Sequence, residues 1–282
     1  CHHITASSYD NPFTPVEEID REIEKLRARG EEDIIQREYY GKVVRGGKNA
    51  IFPMFKEELI HPYNVLIKQI SRDRNKMDWF CICDPGSTTC FAVLFGCINP
   101  YTKQMYLLDE IYETTQENTS VRRIFPKIKA KMNELYPGSS LEDDWIKVYD
   151  EAAAWFATEI LNQYNLYFFP TEKHMNRKDH GLSLIKDQMI YNLVSISDRC
   201  LNLKKEIEGY VKNDRGDIPK KDDHLIDCYR YLNAVSHYNM NEVLEIIKET
   251  KPDDPRYVSL EQDVRTLLKE EDWTFGFRDW EE

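Results

Sequence analysis

Hydrophobic and polar positions change rhythm sharply at Asp78. Beyond it, three apolar runs follow one another: Trp79 to Cys83, Phe91 to Ile98 and Gln104 to Tyr112. Pro85-Gly86 and Asn99-Pro100 stand between them as turn residues, so the pattern predicts three strands in an antiparallel meander. A basic amphipathic stretch from Val121 to Asn133 predicts a crossing helix. A short strand over Ile146 to Asp150 comes next, then an alanine-rich helix from Ala152 to Tyr164 and a strand at Leu166 to Phe169. Helical periodicity returns over Leu182 to Val194 and from Asp223 to His237. Three strands followed by alternating strand and helix predict a mixed α/β layout with about five strands.

Ahead of Asp78 the pattern is weaker. Thr14 caps a helix from Pro15 to Arg29, Gly30 closes it, and an apolar end at Ala50 to Phe55 follows Gly46-Gly47. These residues do not make a self-contained α/β unit. The chain has no Gly-x-x-x-x-Gly-Lys-Ser/Thr loop, so no P-loop is expected. The longest apolar run, Phe91 to Ile98, has the length of a strand and not of a membrane span.

Composition refines this picture. The chain has 282 residues, 41% of them hydrophobic, with 17 Tyr, 12 Phe and 5 Trp, which argues for a packed core and against disorder. Its formal charge of −12 speaks against non-specific nucleic-acid binding on its face. Residues 241–282, however, hold 13 acidic and 6 basic side chains around a Lys251-Pro252-Asp253-Asp254-Pro255 breaker, and account for −7 of that charge. They read as an exposed acidic appendage. Seven cysteines without any Cys-x-x-Cys pair predict reduced, buried thiols of an intracellular protein, with neither disulfides nor structural zinc. The chain starts at Cys1 and shows no signal-peptide pattern.

Three acidic positions carry candidate chemistry. Asp84 follows the buried run Trp79 to Cys83 and precedes Pro85-Gly86-Ser87-Thr88. A carboxylate at the end of a buried strand needs a partner, commonly a metal ion, although a turn aspartate also fits. Asp150 ends the strand that begins at Ile146 and precedes Glu151-Ala152, where a helix N-cap fits equally well. In Asp222-Asp223-His224-Leu225-Ile226-Asp227, a helix places Asp223 and Asp227 at i,i+4 and His224 and Asp227 at i,i+3. Arg230 offers the alternative of a plain salt bridge there. Glu110 is a further candidate; strand alternation sends it and Asp109 to opposite faces, so only one of the two faces a central site. Together these acids suit two divalent ions about 4 Å apart that clamp a phosphodiester and activate water. Hard oxygen ligands favour Mg²⁺ or Mn²⁺, and a neighbouring histidine suits proton transfer.

The order and spacing of Asp84-Pro85-Gly86, Val148-Tyr149-Asp150 and Asp223-His224-Leu225-Ile226-Asp227-Cys228-Tyr229-Arg230-Tyr231 resemble the large terminase subunit of tailed bacteriophages. Tyr9 to Phe13, Tyr40 to Val43 and Ile51 to Pro53 resemble the end of that family's ATPase domain. The resemblance implies a ribonuclease H-like mixed sheet flanked by helices over residues 71–240, a remnant of an ATPase domain and linker over 1–70, and the acidic tail over 241–282. It implies a metal-dependent endonuclease cutting concatemeric double-stranded DNA with two Mg²⁺ or Mn²⁺ ions. Asp84 and Asp150 are then metal ligands, and Asp227, Asp223 and His224 compete for the third place, Asp227 being preferred. Phosphate contacts fall to Lys173, His174, Arg177, Lys178 and Lys186, within a stretch of 11 basic and 8 acidic residues over 171–221. The basic run Arg122, Arg123, Lys127, Lys129 and Lys131 fits a solvated helix face as well as a DNA contact. Implied partners are the ATPase domain, the small terminase subunit and the portal, in the host cytoplasm and away from any membrane. Without a P-loop, ATP hydrolysis by this piece is not expected. Two alternatives stand beside this: an actin- or sugar-kinase-type ATPase, whose first phosphate loop Asp84 to Thr88 also resembles, and a catalytically silent module docking on DNA or portal. A Holliday-junction resolvase or transposase shares the fold and metals but not the N-terminal segment.

Overall fold

Seven strands among the described residues form one mixed sheet: β1 (Ile60–His61), β2 (Asp78–Pro85), β3 (Phe91–Ile98), β4 (Met105–Glu113), β5 (Trp145–Tyr149), β6 (Phe169–Pro170) and β7 (Val194–Ser197). Their order is β1-β7-β4-β3-β2-β5-β6. The computed structural model describes residues 7–11, 13–28, 35, 39–40, 49–86, 90–115, 119–172, 178–213, 216–218, 223–240 and 242–243. Gly30, Gly46-Gly47 and the acidic stretch from 244 to 282 lie outside them. The predicted meander forms: β2, β3 and β4 pair antiparallel, while β5, β6, β7 and β1 join in parallel. A register shift between Phe95 and Gly96 marks a bulge, where a Cβ on Gly96 would sit 2.7 Å from the Tyr106 carbonyl oxygen.

Helices are α1 (Val16–Ala28), α2 (Tyr63–Ile70), α3 (Val121–Leu135), α4 (Ala154–Tyr164), α5 (Lys178–Ile190), α6 (Leu201–Gly209) and α7 (His224–Val235). The two-residue alternation of β2 explains the layers. Trp79, Cys81 and Cys83 pack on one face with Leu66 and Ile70 of α2, the apolar stripe of α3, and Phe156 and Ile160 of α4. Phe80 and Ile82 pack on the other face with Leu182, Ile185 and Met189 of α5, Leu203 and Ile207 of α6, and Leu225, Ile226 and Leu232 of α7. The sheet is therefore covered on both sides by helices, as a mostly buried mixed sheet requires.

Several boundaries differ from the sequence reading, and the sheet has seven strands where about five were expected. The helix expected over 182–194 ends at Ile190. Asn192 takes a left-handed conformation (φ 52°), which frees Val194 to begin β7. The strand expected at Leu166 to Phe169 reduces to the edge pair Phe169–Pro170. Residues 60–70, assigned from sequence to the N-terminal segment, supply β1 and α2: Ile60 and His61 pair with Ile196 and Ser197, and Ile51, Phe52 and Leu59 join the core on the α7 side. The six cysteines of the described residues are free and buried.

Candidate active site

Parallel pairing of β2 with β5 sets Cys83 beside Tyr149, and the Asp150 amide donates to the Cys83 carbonyl at 3.1 Å. Asp84 and Asp150 thus stand side by side at the carboxyl ends of neighbouring strands, whose spacing is about 4.8 Å. Alternation puts Asp84 on the face of Phe80 and Ile82, and Asp150 on the face of Val148; both aspartates look towards α7. Ligand sites of α/β sheets gather at such strand ends. Asp150 also performs the local task that its position before a helix suggests, since its Oδ1 accepts the Ala152 N–H at 2.9 Å.

Helix α7 is held here by its apolar positions, while one polar stripe faces the strand ends. His224 Nδ1 donates to Asp84 Oδ2 at 2.7 Å, and Tyr231 Oη donates to Asp150 Oδ2 at 2.5 Å. These residues are seven apart, two helical turns, so the helix is anchored once on each aspartate. Asp227 lies between them on the same stripe, three residues after His224 and four before Tyr231. Its Oδ1 accepts Nε and Nη2 of Arg230 at 2.9 and 2.8 Å. Asp223 is turned elsewhere: its Oδ2 accepts Lys178 Nζ at 2.8 Å and Tyr210 Oη at 3.0 Å. Of the three candidates on this helix, His224 contacts a strand-end aspartate directly, Asp227 is held by Arg230 within one turn of it, and Asp223 is bonded to Lys178 and Tyr210.

The electrostatics follow from the geometry. The Asp84 carboxylate holds the His224 pKa above its usual value, although burial pulls the other way. Burial raises the Asp227 carboxyl above the ordinary range despite the Arg230 guanidinium, and Asp223 adds to the rise. Burial also drives the Tyr231 phenol far up, reinforced by its bond to Asp150, so it remains a neutral donor. Behind this stripe lies an acid that sequence reasoning missed. Glu206 of α6 is 6% exposed and its carboxyl is pushed up to about 7 by burial.

The donor set fits a hard divalent cation. Asp84, Asp150 and Asp227 offer carboxylate oxygens, and Oδ1 of Asp84 and Oδ2 of Asp227 make no hydrogen bond among the described residues. Cys228, on the same helix, is fully buried and burial pushes its pKa well up. Among the described residues, no group of three or more His, Cys, Asp or Glu side chains is arranged so that it could hold a metal ion as it stands.

The remaining candidates fall elsewhere. Glu110 lies on the Asp84 face, but its oxygens accept the amides of Asn202 and Leu203 at the start of α6 (2.6 and 3.0 Å). It serves that helix and not the aspartate cluster, because unpaired amides at a helix start compete strongly for a carboxylate. Asp109 faces the opposite side and pairs with Lys131 and Arg199. Lys173, His174 and Arg177 lie outside the described residues. Lys178 is paired with Asp223, and Lys186 is partly exposed on α5. The basic run 122–131 sits on α3, across the sheet from Asp84; there Lys127 pairs with Glu113 and Lys131 with Asp109.

No family model matches the chain, and no curated protein does. Among solved structures, the large terminase of a thermophilic bacteriophage, in complex with ADP, superposes with a TM-score of 0.53 at 16% identity, over 84% of this chain and 56% of that one. Another crystal form of the same phage protein gives 0.51 at 19% identity, over 82% and 54%. The nuclease domain of the P22 large terminase gives 0.50 at 15% identity, over 71% of this chain and 98% of that one. At such identities the likeness is one of fold: a ribonuclease H-like sheet as in terminase nuclease domains. The chain spans little more than half of the thermophilic phage's large terminase.

Proposed function

We propose that this chain is the nuclease part of a phage DNA-packaging motor, an endodeoxyribonuclease that cuts double-stranded DNA with Mg²⁺ or Mn²⁺. The observation that carries the proposal is the pairing of Asp84 and Asp150 at adjacent strand ends, each anchored to α7, by His224 and Tyr231, with Asp227 on the helix between those two anchors. Asp84, Asp150 and Asp227 would hold the ions. When bound, a pair of divalent ions supplies Lewis-acid stabilisation of a phosphodiester oxygen and activation of the attacking water. The chain's own groups do the rest. His224 keeps a proton on Nδ1 against Asp84 and is placed to exchange it; Tyr231 orients Asp150, and Arg230 orients Asp227. DNA phosphates would run past α5, where Lys178 and Lys186 stand, with Lys173, His174 and Arg177 just before it.

The likeness in fold to terminase nuclease domains supports this assignment. The match to the longer large terminase of the thermophilic phage also takes in more of the chain, 84% against 71% for the isolated P22 domain. On this reading the residues ahead of the sheet are the remnant of an ATPase domain, and the intact protein works with that domain, a small terminase subunit and a portal in the host cytoplasm. The direct test is cleavage of supercoiled plasmid with Mn²⁺ or Mg²⁺, beside an EDTA control and Asp84→Asn. Nicking that needs the metal and Asp84 is the expected result. Supercoiled DNA left intact under Mn²⁺ by folded protein would sink the assignment.

A further inference from the structure

The first turn of α7 presents a problem of hydrogen bonding. The opening N–H groups of a helix have no partner within it, and the N-cap side chain usually supplies one. Asp223 holds the N-cap position of α7 but makes no such bond, its carboxylate being taken by Lys178 and Tyr210. The amides are served instead from another helix: Glu206 Oε2 accepts Leu225 N–H at 2.8 Å and Ile226 N–H at 3.0 Å. Glu206 Oε1 is buried without a hydrogen bond of good geometry among the described residues, although Tyr112 stands beside it. The same device recurs one step back. Glu110 of β4 takes the Asn202 and Leu203 amides of α6. Two glutamates therefore link the sheet to α6 and α6 to α7, and the last link lies next to His224.

We propose that Glu206 is a positioning residue of the site: acting as a surrogate cap, it fixes the first turn of α7 so that His224 and Asp227 face Asp84 and Asp150, and it leaves the Asp223 carboxylate to Lys178 and Tyr210. This rests on the nuclease assignment above. A buried carboxylate that receives two amides fixes both the rotation and the height of a helix, whereas an exposed cap tolerates fraying. Asp227 reaches the metal side only if the helix keeps that rotation, because one residue further round, about 100°, takes it off the stripe.

The test compares Glu206→Ala and Glu206→Gln in the full chain, well below the melting temperature of each. Gln retains one carbonyl oxygen for the two amides, while Ala removes the acceptor. The readouts are Mn²⁺ affinity by calorimetry, the Mn²⁺ concentration giving half-maximal plasmid nicking, and hydrogen exchange at the Leu225 and Ile226 amides. Loss of a group that orients metal ligands typically weakens metal binding about 10- to 100-fold. Ala is expected to raise the Mn²⁺ midpoint at least ~10-fold and to speed exchange at these two amides, with Gln staying within ~2-fold of wild type. Ile160→Ala, on the opposite face, should lower the melting temperature without moving the Mn²⁺ midpoint. An Ala variant with wild-type Mn²⁺ midpoint and affinity overturns the positioning role. A Gln variant as impaired as Ala overturns it too, since that outcome assigns the effect to charge. If wild type neither binds nor uses Mn²⁺, the nuclease assignment fails with it; unchanged exchange at Leu225 and Ile226 in the Ala variant refutes the cap by itself.

Discussion

Replacing Glu206 by Gln in the metal-free protein removes one titration and almost nothing else. Burial is the main reason its carboxyl is pushed from 4.5 up to about 7; the Ile226 and Leu225 amides, His224 and Tyr112 pull it back only partly. Between these values the folded protein binds a proton that the unfolded chain has already released. Stability contributed by that proton is therefore complete below about pH 4.5 and disappears as pH rises through 7. At about 1.4 kcal/mol per pH unit the full effect is on the order of 3 kcal/mol, an upper bound because relaxation and water entry reduce it. Gln has no such proton, so the variant lacks this slope. Every other titrating group, among them Glu110 and Asp227 with their raised pKa values, is common to both proteins, apart from the pull that Glu206 exerts on His224. Urea unfolding in EDTA at several pH values from about 4.5 to 8 measures the difference directly. Wild type should lose about 1–3 kcal/mol relative to E206Q across that range. A difference that stays flat within about 0.5 kcal/mol would refute a buried, hydrogen-bonded Glu206, because an exposed carboxyl finishes titrating near pH ~5 in both states.

Further outcomes follow from other parts of the structure. Asp84→Asn and Asp150→Asn should each reduce Mn²⁺-dependent plasmid nicking by at least ~10³-fold while circular dichroism stays native; a rate near wild type would remove that residue from the metal site. Phe156→Ala, which empties the space against Phe91, Tyr149 and Phe168, should cost roughly 3–5 kcal/mol in urea unfolding. Gly96→Ala brings a methyl to within 2.7 Å of the Tyr106 backbone oxygen and should destabilise by about 1–3 kcal/mol. Gly209→Ala, at the end of α6 with nothing within 4 Å of the added carbon, should be neutral or stabilising by up to ~1 kcal/mol. Equal melting temperatures for the two alanine variants would contradict the bulge geometry.

The strand-end aspartates were legible because each sits where a buried apolar run meets turn or helix-start residues, and both signals are local. The meander was legible for the same reason, with Pro85-Gly86 and Asn99-Pro100 marking its corners. The choice among Asp223, His224 and Asp227 was not, since all lie within five residues of one helix. What separates them is the diversion of Asp223 to Lys178 and Tyr210, residues 45 and 13 positions away. Strand β7 was hidden because it is four residues long and follows a helical pattern without a proline or glycine between; only the left-handed Asn192 ends that pattern. Helix α6 was missed because Lys204, Lys205, Glu206 and Glu208 break up the apolar signal of Leu203 and Ile207. The caps supplied by Glu110 and Glu206 join groups 92 and about 20 residues apart, beyond the reach of any window reading.

Net charge is where sequence and structure bear on each other most closely. A balance of −12 is hostile to DNA when taken as a sum, yet the acids of the site do not act as bare charges. Each has its own donor: His224 for Asp84, Tyr231 for Asp150, Arg230 for Asp227 and Lys178 for Asp223. Partly buried carboxylates that had to stay ionised without such donors would be costly, so these pairings are what let the acids stand this close together. The donors are not equivalent. His224 can release its proton and Tyr231 is neutral, so under the proposed function a divalent ion entering between Asp84 and Asp150 would displace no fixed positive charge. Arg230 and Lys178 are ion-paired with Asp227 and Asp223, on the side where α5 packs against the helix. Under the proposed two-ion function, bound cations would offset the acids here and make the local field favourable to a phosphate. Charges on α3 do not contribute in the same way, since Lys127 and Lys131 are already neutralised by Glu113 and Asp109 on the far face. Under the proposed function, the sign that would matter for DNA is thus set by local pairings such as these, not by the count of acids along the chain.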